Sequence, residues 1–151
     1  MEGLVNAILA GLLVYSVISI VWYIILVIAN WKIFTKADEP GWMSIIPILN
    51  TYIIFKISWK ASMFWIMLGS AVVGGVLASI AQDNTILLIL GSVFTLAAAV
   101  IGIIDIHKLS KSFGHGVGFT LGLIFLSPIF TLILGFGSSE YIGPDVEEEY
   151  E

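Results

Sequence analysis

Asp105 is the residue of this 151-residue chain best placed to do chemistry. It lies in Gly-Ile-Ile-Asp-Ile-His-Lys-Leu-Ser-Lys, residues 102–111, where a long apolar run ends. An ionisable group beside a membrane-length segment is costly to keep and often marks an ion or proton path. Lys108 stands three residues on, on the same face of a helix, so the plainer reading is a structural ion pair. The position near the end of the run, away from its middle, favours the pair. His107 is two residues from Asp105 and faces another way on a helix, and His115 joins them only if the chain folds back. That falls short of the three or four ligands a metal site needs. Gly114-His-Gly-Val-Gly118 follows no strand and carries no Lys-Ser/Thr, so it is not a nucleotide loop. The stretch before Asp105 lacks the Gly-X-Gly-Asp pattern of intramembrane aspartyl proteases. With no cysteine, thiol catalysis, disulfides and thiolate metal sites are excluded. No catalytic residue, metal or cofactor is expected.

The elements that carry these residues are set by composition. The chain is 59% hydrophobic and 11% charged, with a mean hydropathy of +1.06. A soluble domain of this size needs more charge on its surface, and the apolar runs are of membrane-crossing length. The expectation is an all-α, polytopic membrane protein in one domain, 1–137, followed by an acidic tail, 138–151. Four spans are predicted, at about 4–31, 61–81, 85–107 and 116–136. The first begins Met-Glu-Gly without a basic flank and is far longer than a signal-peptide core, so it is read as a permanent span.

Between the first and second spans lies the least ordinary stretch, residues 38–60. With its flanks it holds four of the six lysines, two of the four prolines and three of the five tryptophans. Asp38 and Glu39 suit a helix start, with Pro40 in its first turn. Pro47 interrupts that helix after less than two turns. Trp42, Tyr52 and Trp59 have rings favoured at headgroup level. The stretch therefore reads as a proline-kinked interfacial helix. The alternative is a re-entrant hairpin, which has to be buried in protein because broken backbone cannot face lipid. Lys32, Lys36, Lys56 and Lys60, with Trp42 and Trp59, are candidates for contact with the interface and with anionic lipid headgroups.

Small residues recur at four-residue spacing. Ala71, Gly75 and Ser79 form one such series in the second span, with Ser70 and Gly74 beside it. Gly114, Gly118 and Gly122 form another at the start of the fourth, with Gly114 also suited to a turn. Such faces permit close helix approach in a bilayer. Ser127-Pro128 is expected to kink the fourth span. With four spans, both lysine clusters, 32–60 and 108–111, fall on one side. Met1, the turn at 82–84 and the acidic tail fall on the other. The positive-inside rule makes the lysine side cytoplasmic in a cell membrane. If the fourth segment hinges at Pro128 as two half-helices, the tail becomes cytoplasmic too.

Several motifs then combine: Pro40-Gly41-Trp42, Pro47, Asn50 with Tyr52, Lys56, Asp105 with Lys108, Phe113-Gly114-His115-Gly116, Leu134-Gly135-Phe136-Gly137, Tyr141 and Gly143-Pro144. In that order they resemble a family of small bacterial membrane proteins of unknown function, the DUF5684 type, from about Asn30 onward. Some of its members carry the label signal peptidase I. That label implies a serine nucleophile within reach of a lysine base, on a large extracytoplasmic domain. Ser62-Met63 lacks the Ser-X-Met spacing, the lysines fall on the cytoplasmic side, and no such domain follows. The resemblance implies membrane placement and no activity.

The functional expectation is a non-enzymatic membrane protein whose partners are the lipid bilayer and other membrane subunits or itself, with no nucleic acid and no nucleotide. As an accessory or scaffold subunit, or a homo-oligomer, it packs through small-residue faces. The rival expectation is a small transporter or channel that uses Asp105 and the broken segments at Pro47 and Pro128. A third is a partner held by the acidic tail.

Overall fold

A computed structural model describes residues 1–81 and 83–144. Among them the chain is all-α. Its helices are α1 (Glu2–Lys36), α2 (Pro47–Ser58), α3 (Ala61–Ile80), α4 (Thr85–Ser112), α5 (Val117–Phe125) and α6 (Ser127–Phe136), with a 3-10 turn at Gly41–Ile45. Three of these, α1, α3 and α4, are long and apolar enough to cross a membrane. They point to a multi-pass membrane protein.

The fourth expected span, 116–136, is not one long helix. It forms two helices of nine and ten residues, each roughly 15 Å long against a hydrocarbon core of ~30 Å. The backbone breaks at Leu126, and Pro128 sits in the first turn of α6, where its missing N–H costs nothing. A kinked single helix would instead leave Pro128 against the preceding turn. The two helices fold back on each other. The Phe119 and Phe130 rings lie 5.0 Å apart edge to face, although eleven residues of straight helix would separate them by ~16 Å. Gly122 leaves room for the Phe130 ring, which any Cβ there would strike.

The stretch 38–60 also folds back. Asp38 caps no new helix. It stands at φ 58° just beyond the end of α1, with Glu39 N–H bonded to Phe34 O and Asp38 N–H to Thr35 O. This is a Schellman stop. The chain then runs down beside α1. Gly41 lies against Trp31, where a Cβ would strike the indole, and Tyr23 Oη donates to Ile45 O at 2.7 Å. Tyr23 is about 20 Å along α1 from Lys36, so Ile45 lies far along α1 from that end. Pro47 begins α2 and does not interrupt it. α2 climbs back to Ser58.

α3 and α4 form a hairpin. Asn84 caps α4 by accepting from the N–H groups of Ile86 and Leu87. The seam is one residue away from the expected groove. Gly74 and Gly91 bring the backbones together: a Cβ on Gly74 would lie 2.5 Å from Thr95 Oγ1 and 3.0 Å from Gly91 O. Ala71, Gly75 and Ser79 face outward, and nothing lies within 4 Å of a Cβ on Gly75. α4 ends in a second Schellman stop, with Gly114 at φ 75° and His115 N–H bonded to Ser110 O. Here Gly114 serves as a turn, Gly122 packs, and Gly118 is open.

All of this gathers the packed core at one end. Ile33 and Phe34 of α1, Ile53 and Ile57 of α2, Leu109, Phe113 and Leu134 are buried together. The other ends of α1, α3 and α4 project from it. No residue of α1 before Ala29 is buried, and the backbone of α1 does not closely approach α3 or α4 among the described residues.

Candidate functional site

Asp105 is buried at 3% exposure where α2 and α4 cross. Its carboxylate accepts a hydrogen bond from Ser58 Oγ, which is wholly buried on α2. Ser112, about two turns further along α4, donates to Lys108 O at 2.8 Å, and its Oγ lies 3.4 Å from Ser58 O. The crossing is thus held by short polar side chains in a dry contact. Lys108, expected to pair with Asp105, places its ammonium over the Trp59 ring at 5.1 Å, a cation–π distance. His107 turns away from Asp105 and bonds Thr120 on α5 at 2.9 Å. Among the described residues no three His, Asp or Glu side chains group as a metal site would require.

Both folded-back segments are pinned at their mouths by polar pairs. Glu39 stands before the first and Lys56 after its return, and they form an ion pair at 2.6 Å. His115 stands before the second and Ser139 after it, and they hydrogen-bond at 2.7 Å. In each, a proline begins the returning helix. These pairs hold hairpin ends together that backbone hydrogen bonds alone do not join.

The remaining lysines of the interface set are placed unevenly. Lys36 Nζ donates to Leu134 O at 2.7 Å and Gly137 O at 2.9 Å, the end of α6. A cation there satisfies orphan carbonyls and complements the helix dipole. Lys32 lies 5.3 Å over the Phe136 ring. Lys60 and Trp42 are exposed, and Trp59 is half-buried. Lys36 is therefore an internal cap, a role its position in the sequence did not disclose because its partners lie about a hundred residues on. Gly135 is the second such residue: a Cβ there would lie 2.5 Å from Ala29 O and 3.0 Å from Ala29 Cα. Its Leu-Gly-Phe-Gly setting is the one signal that could have drawn attention to it.

The segment after α6 straps this end. Ile142 N–H donates to Ser112 O at 2.8 Å, and Tyr141 Oη donates to Ile57 O at 2.7 Å. Burial first, then the negative charge of Glu39, push the Tyr141 phenol above its ordinary pKa. The neutral, donating form is the one folding favours. Its stabilisation is fully present below the ordinary tyrosine value of ~10 and is lost as pH rises through the raised value. Tyr141→Phe should lower the melting temperature in detergent at neutral pH by about 2–4 °C, the worth of one hydrogen bond in a chain of this size. The variant should also melt with less dependence on alkaline pH. An unchanged melting profile would remove the strap from the account.

A small cavity of about 120 Å³ lies between five elements, lined by Asn30, Ile33, Ile54, Ile106, Leu109, Leu123, Ser127, Thr131 and Leu134. Polar side chains from α1 and α6 meet there beside the packed core, and it adjoins the α5–α6 break.

Fold and site together define an all-α membrane protein of three long helices with two folded-back segments clamped at one end. The chain belongs to the DUF5684 family of unknown function, matching it over residues 42–144. The match begins at Trp42, so Asn30, Pro40 and Gly41 precede it. No curated protein and no solved structure matches the chain.

Proposed function

We propose that this is a non-enzymatic membrane protein that works by packing its long helices against other membrane helices, as an accessory subunit or as a homo-oligomer. One observation carries the reading. α1 projects from Glu2 to Ile28 with no buried residue and no close backbone approach to α3 or α4 among the described residues. In lipid there is no hydrophobic force between helices, and association rests on close backbone approach at small residues. The outward series Ala71, Gly75 and Ser79 offers such a face, because the seam with α4 uses Gly74 instead.

The topology that suits this reading has three spans. The lysine end is cytoplasmic by the positive-inside rule. Met1 and the turn after α3 are extracytoplasmic. The chain leaves α6 at the lysine end, so residues 138–144 share the cytoplasmic side, contrary to the four-span expectation. The acidic residues Asp145–Glu151, and any partner they hold, lie outside the described residues.

The native mass of the full chain, extracted in mild detergent with its co-purifying chains identified, tests the proposal. Gly75→Leu should reduce that mass, while Gly118→Leu, at an open position on α5, should leave it unchanged. A monomeric wild-type particle would refute packing as the function.

A second reading, a small transporter or channel, draws on a separate observation: two broken segments each pack against α1, and irregular backbone at membrane depth is tolerated where it lines a cavity. It expects ion-coupled flux in proteoliposomes that Asp105→Asn abolishes. Absence of flux from the wild-type chain would end it.

A further inference from the structure

We propose that the groove between α2 and α3 holds an anionic phospholipid, with one acyl chain in the groove and the phosphate beside Lys60. The proposal is independent of the packing role, which uses the other half of α3. An apolar feature and a charged one meet there.

The apolar feature is the groove itself. It has a volume of about 230 Å³ and is lined by Pro47, Ile48 and Thr51 of α2 and by Phe64, Met67 and Leu68 of α3. Its one polar side chain is already satisfied, since Thr51 Oγ1 donates to Pro47 O at 3.0 Å. The lining therefore offers hydrocarbon and no unmet polar group. That suits an acyl chain and gives a polar molecule nothing to offset its desolvation. Ile48 is 64% exposed, so the groove is open on its outer side. Phe64 is buried and packs edge-on against Tyr52 and Phe55, which fixes the wall nearest the lysine end.

The charged feature stands one turn above that wall. Lys60, Phe64, Met67 and Leu68 are spaced i, i+4, i+7 and i+8, one face of a helix. Lys60 is exposed, and its ammonium has no hydrogen bond, ion pair or ring contact among the described residues. About 5 Å of helix axis separates Lys60 from Phe64. The polar layer of one leaflet is roughly 5–8 Å deep, so a chain in the groove brings its phosphate to the level of the ammonium.

The surroundings favour an anion. Lys108 Nζ lies over the ring of Trp59, the residue before Lys60, and adds positive charge to this end. α3 starts at Lys60 without a side-chain cap, so its first N–H groups add the positive end of a dipole. Two carboxylates of this end are engaged elsewhere, Glu39 by Lys56 and the buried Asp105 by Ser58. The groove alone does not select, because the surrounding lipid tails are equally apolar. It orients the chain, and Lys60 selects the headgroup, as basic residues at a membrane surface select anionic lipid.

The test is native mass spectrometry of the full chain in neutral detergent, titrated with phosphatidylglycerol or with phosphatidylcholine of the same chains. One phosphatidylglycerol should be retained saturably, in preference to phosphatidylcholine. Lys60→Gln should weaken its retention about fivefold, the worth of one basic residue at an anionic surface. Ile48→Trp, which lays a bulky ring in the groove, should weaken it at least as much. Both residues are exposed, so both variants keep the fold. Lys32→Gln, on α1 away from the groove, should leave retention unchanged. Glycerol phosphate, which has the charge without the chains, should not displace the lipid. Equal retention of the two lipids would overturn the proposal. So would an equal loss in Lys32→Gln and Lys60→Gln, full retention in Ile48→Trp, or displacement by glycerol phosphate.

Discussion

Replacing Gly135 with valine should separate α6 from α1 at a large cost in stability. A Cβ at Gly135 meets Ala29 backbone at 2.5–3.0 Å, and a backbone neighbour cannot rotate aside as a side-chain tip can. Overpacking of a close contact costs about 1–3 kcal/mol and occasionally more. Here the displacement propagates. Leu134, wholly buried, belongs to the packed core with Ile33 and Phe34, and Lys36 reaches the carbonyls of Leu134 and Gly137. Moving α6 by one methyl diameter lengthens both hydrogen bonds and opens that core. The expected result is a melting temperature lower by more than 5 °C, since each kcal/mol moves it by about 2–4 °C in a chain of this size. Lys36→Met should reproduce part of the loss. A Gly135→Val protein that melts like the wild type would mean that α6 does not rest on α1.

Asp105→Ala should be the second large effect. The substitution leaves buried Ser58 Oγ only the long contact of 3.5 Å to Phe55 O and opens a small void where α2 crosses α4. An unsatisfied buried polar group costs about 1–3 kcal/mol, and the void adds to it. Asp105→Asn keeps an acceptor for Ser58 and should stay within about 1 kcal/mol of wild type. A double-mutant cycle with Ser58→Ala should return a coupling of about 1–2 kcal/mol. If Asn is as damaging as Ala, the negative charge and not the hydrogen bond is what matters, and the transporter reading gains.

Much of this arrangement was legible in local residues. Pro47 and Pro128 mark disturbed helices, Gly114 suits a turn, and Asp105 is the ionisable group under most constraint. What local residues did not disclose is how each disturbance resolves. A proline at a break reads equally as a kink or as the first turn of a returning helix, and the partner of the returning helix decides between them. For α6 that partner is Ala29 and Lys36, about a hundred residues away; for α2 it is Asp105. The same limit shifted the α3 seam. Ala71-Gly75-Ser79 and Ser70-Gly74 are adjacent stripes of one helix, and only the place of Gly91 and Thr95 on α4 shows that Gly74 carries the contact. Asp105 was paired with Lys108 because helix spacing is visible in sequence, whereas Ser58 is 47 residues distant.

The central claim is that the segment after α4 enters and returns on one side. Because the chain has no native cysteine, single cysteines report sidedness without background. Lys60→Cys marks the lysine end, Asp83→Cys the opposite end, and Ser138→Cys the exit of α6; all three positions are exposed. Each is treated with a membrane-impermeant maleimide in sealed vesicles of known orientation. The account predicts that Ser138→Cys labels from the same side as Lys60→Cys and is protected when Asp83→Cys is labelled. Labelling of Ser138→Cys together with Asp83→Cys would make 116–136 a full span and contradict the folded-back pair.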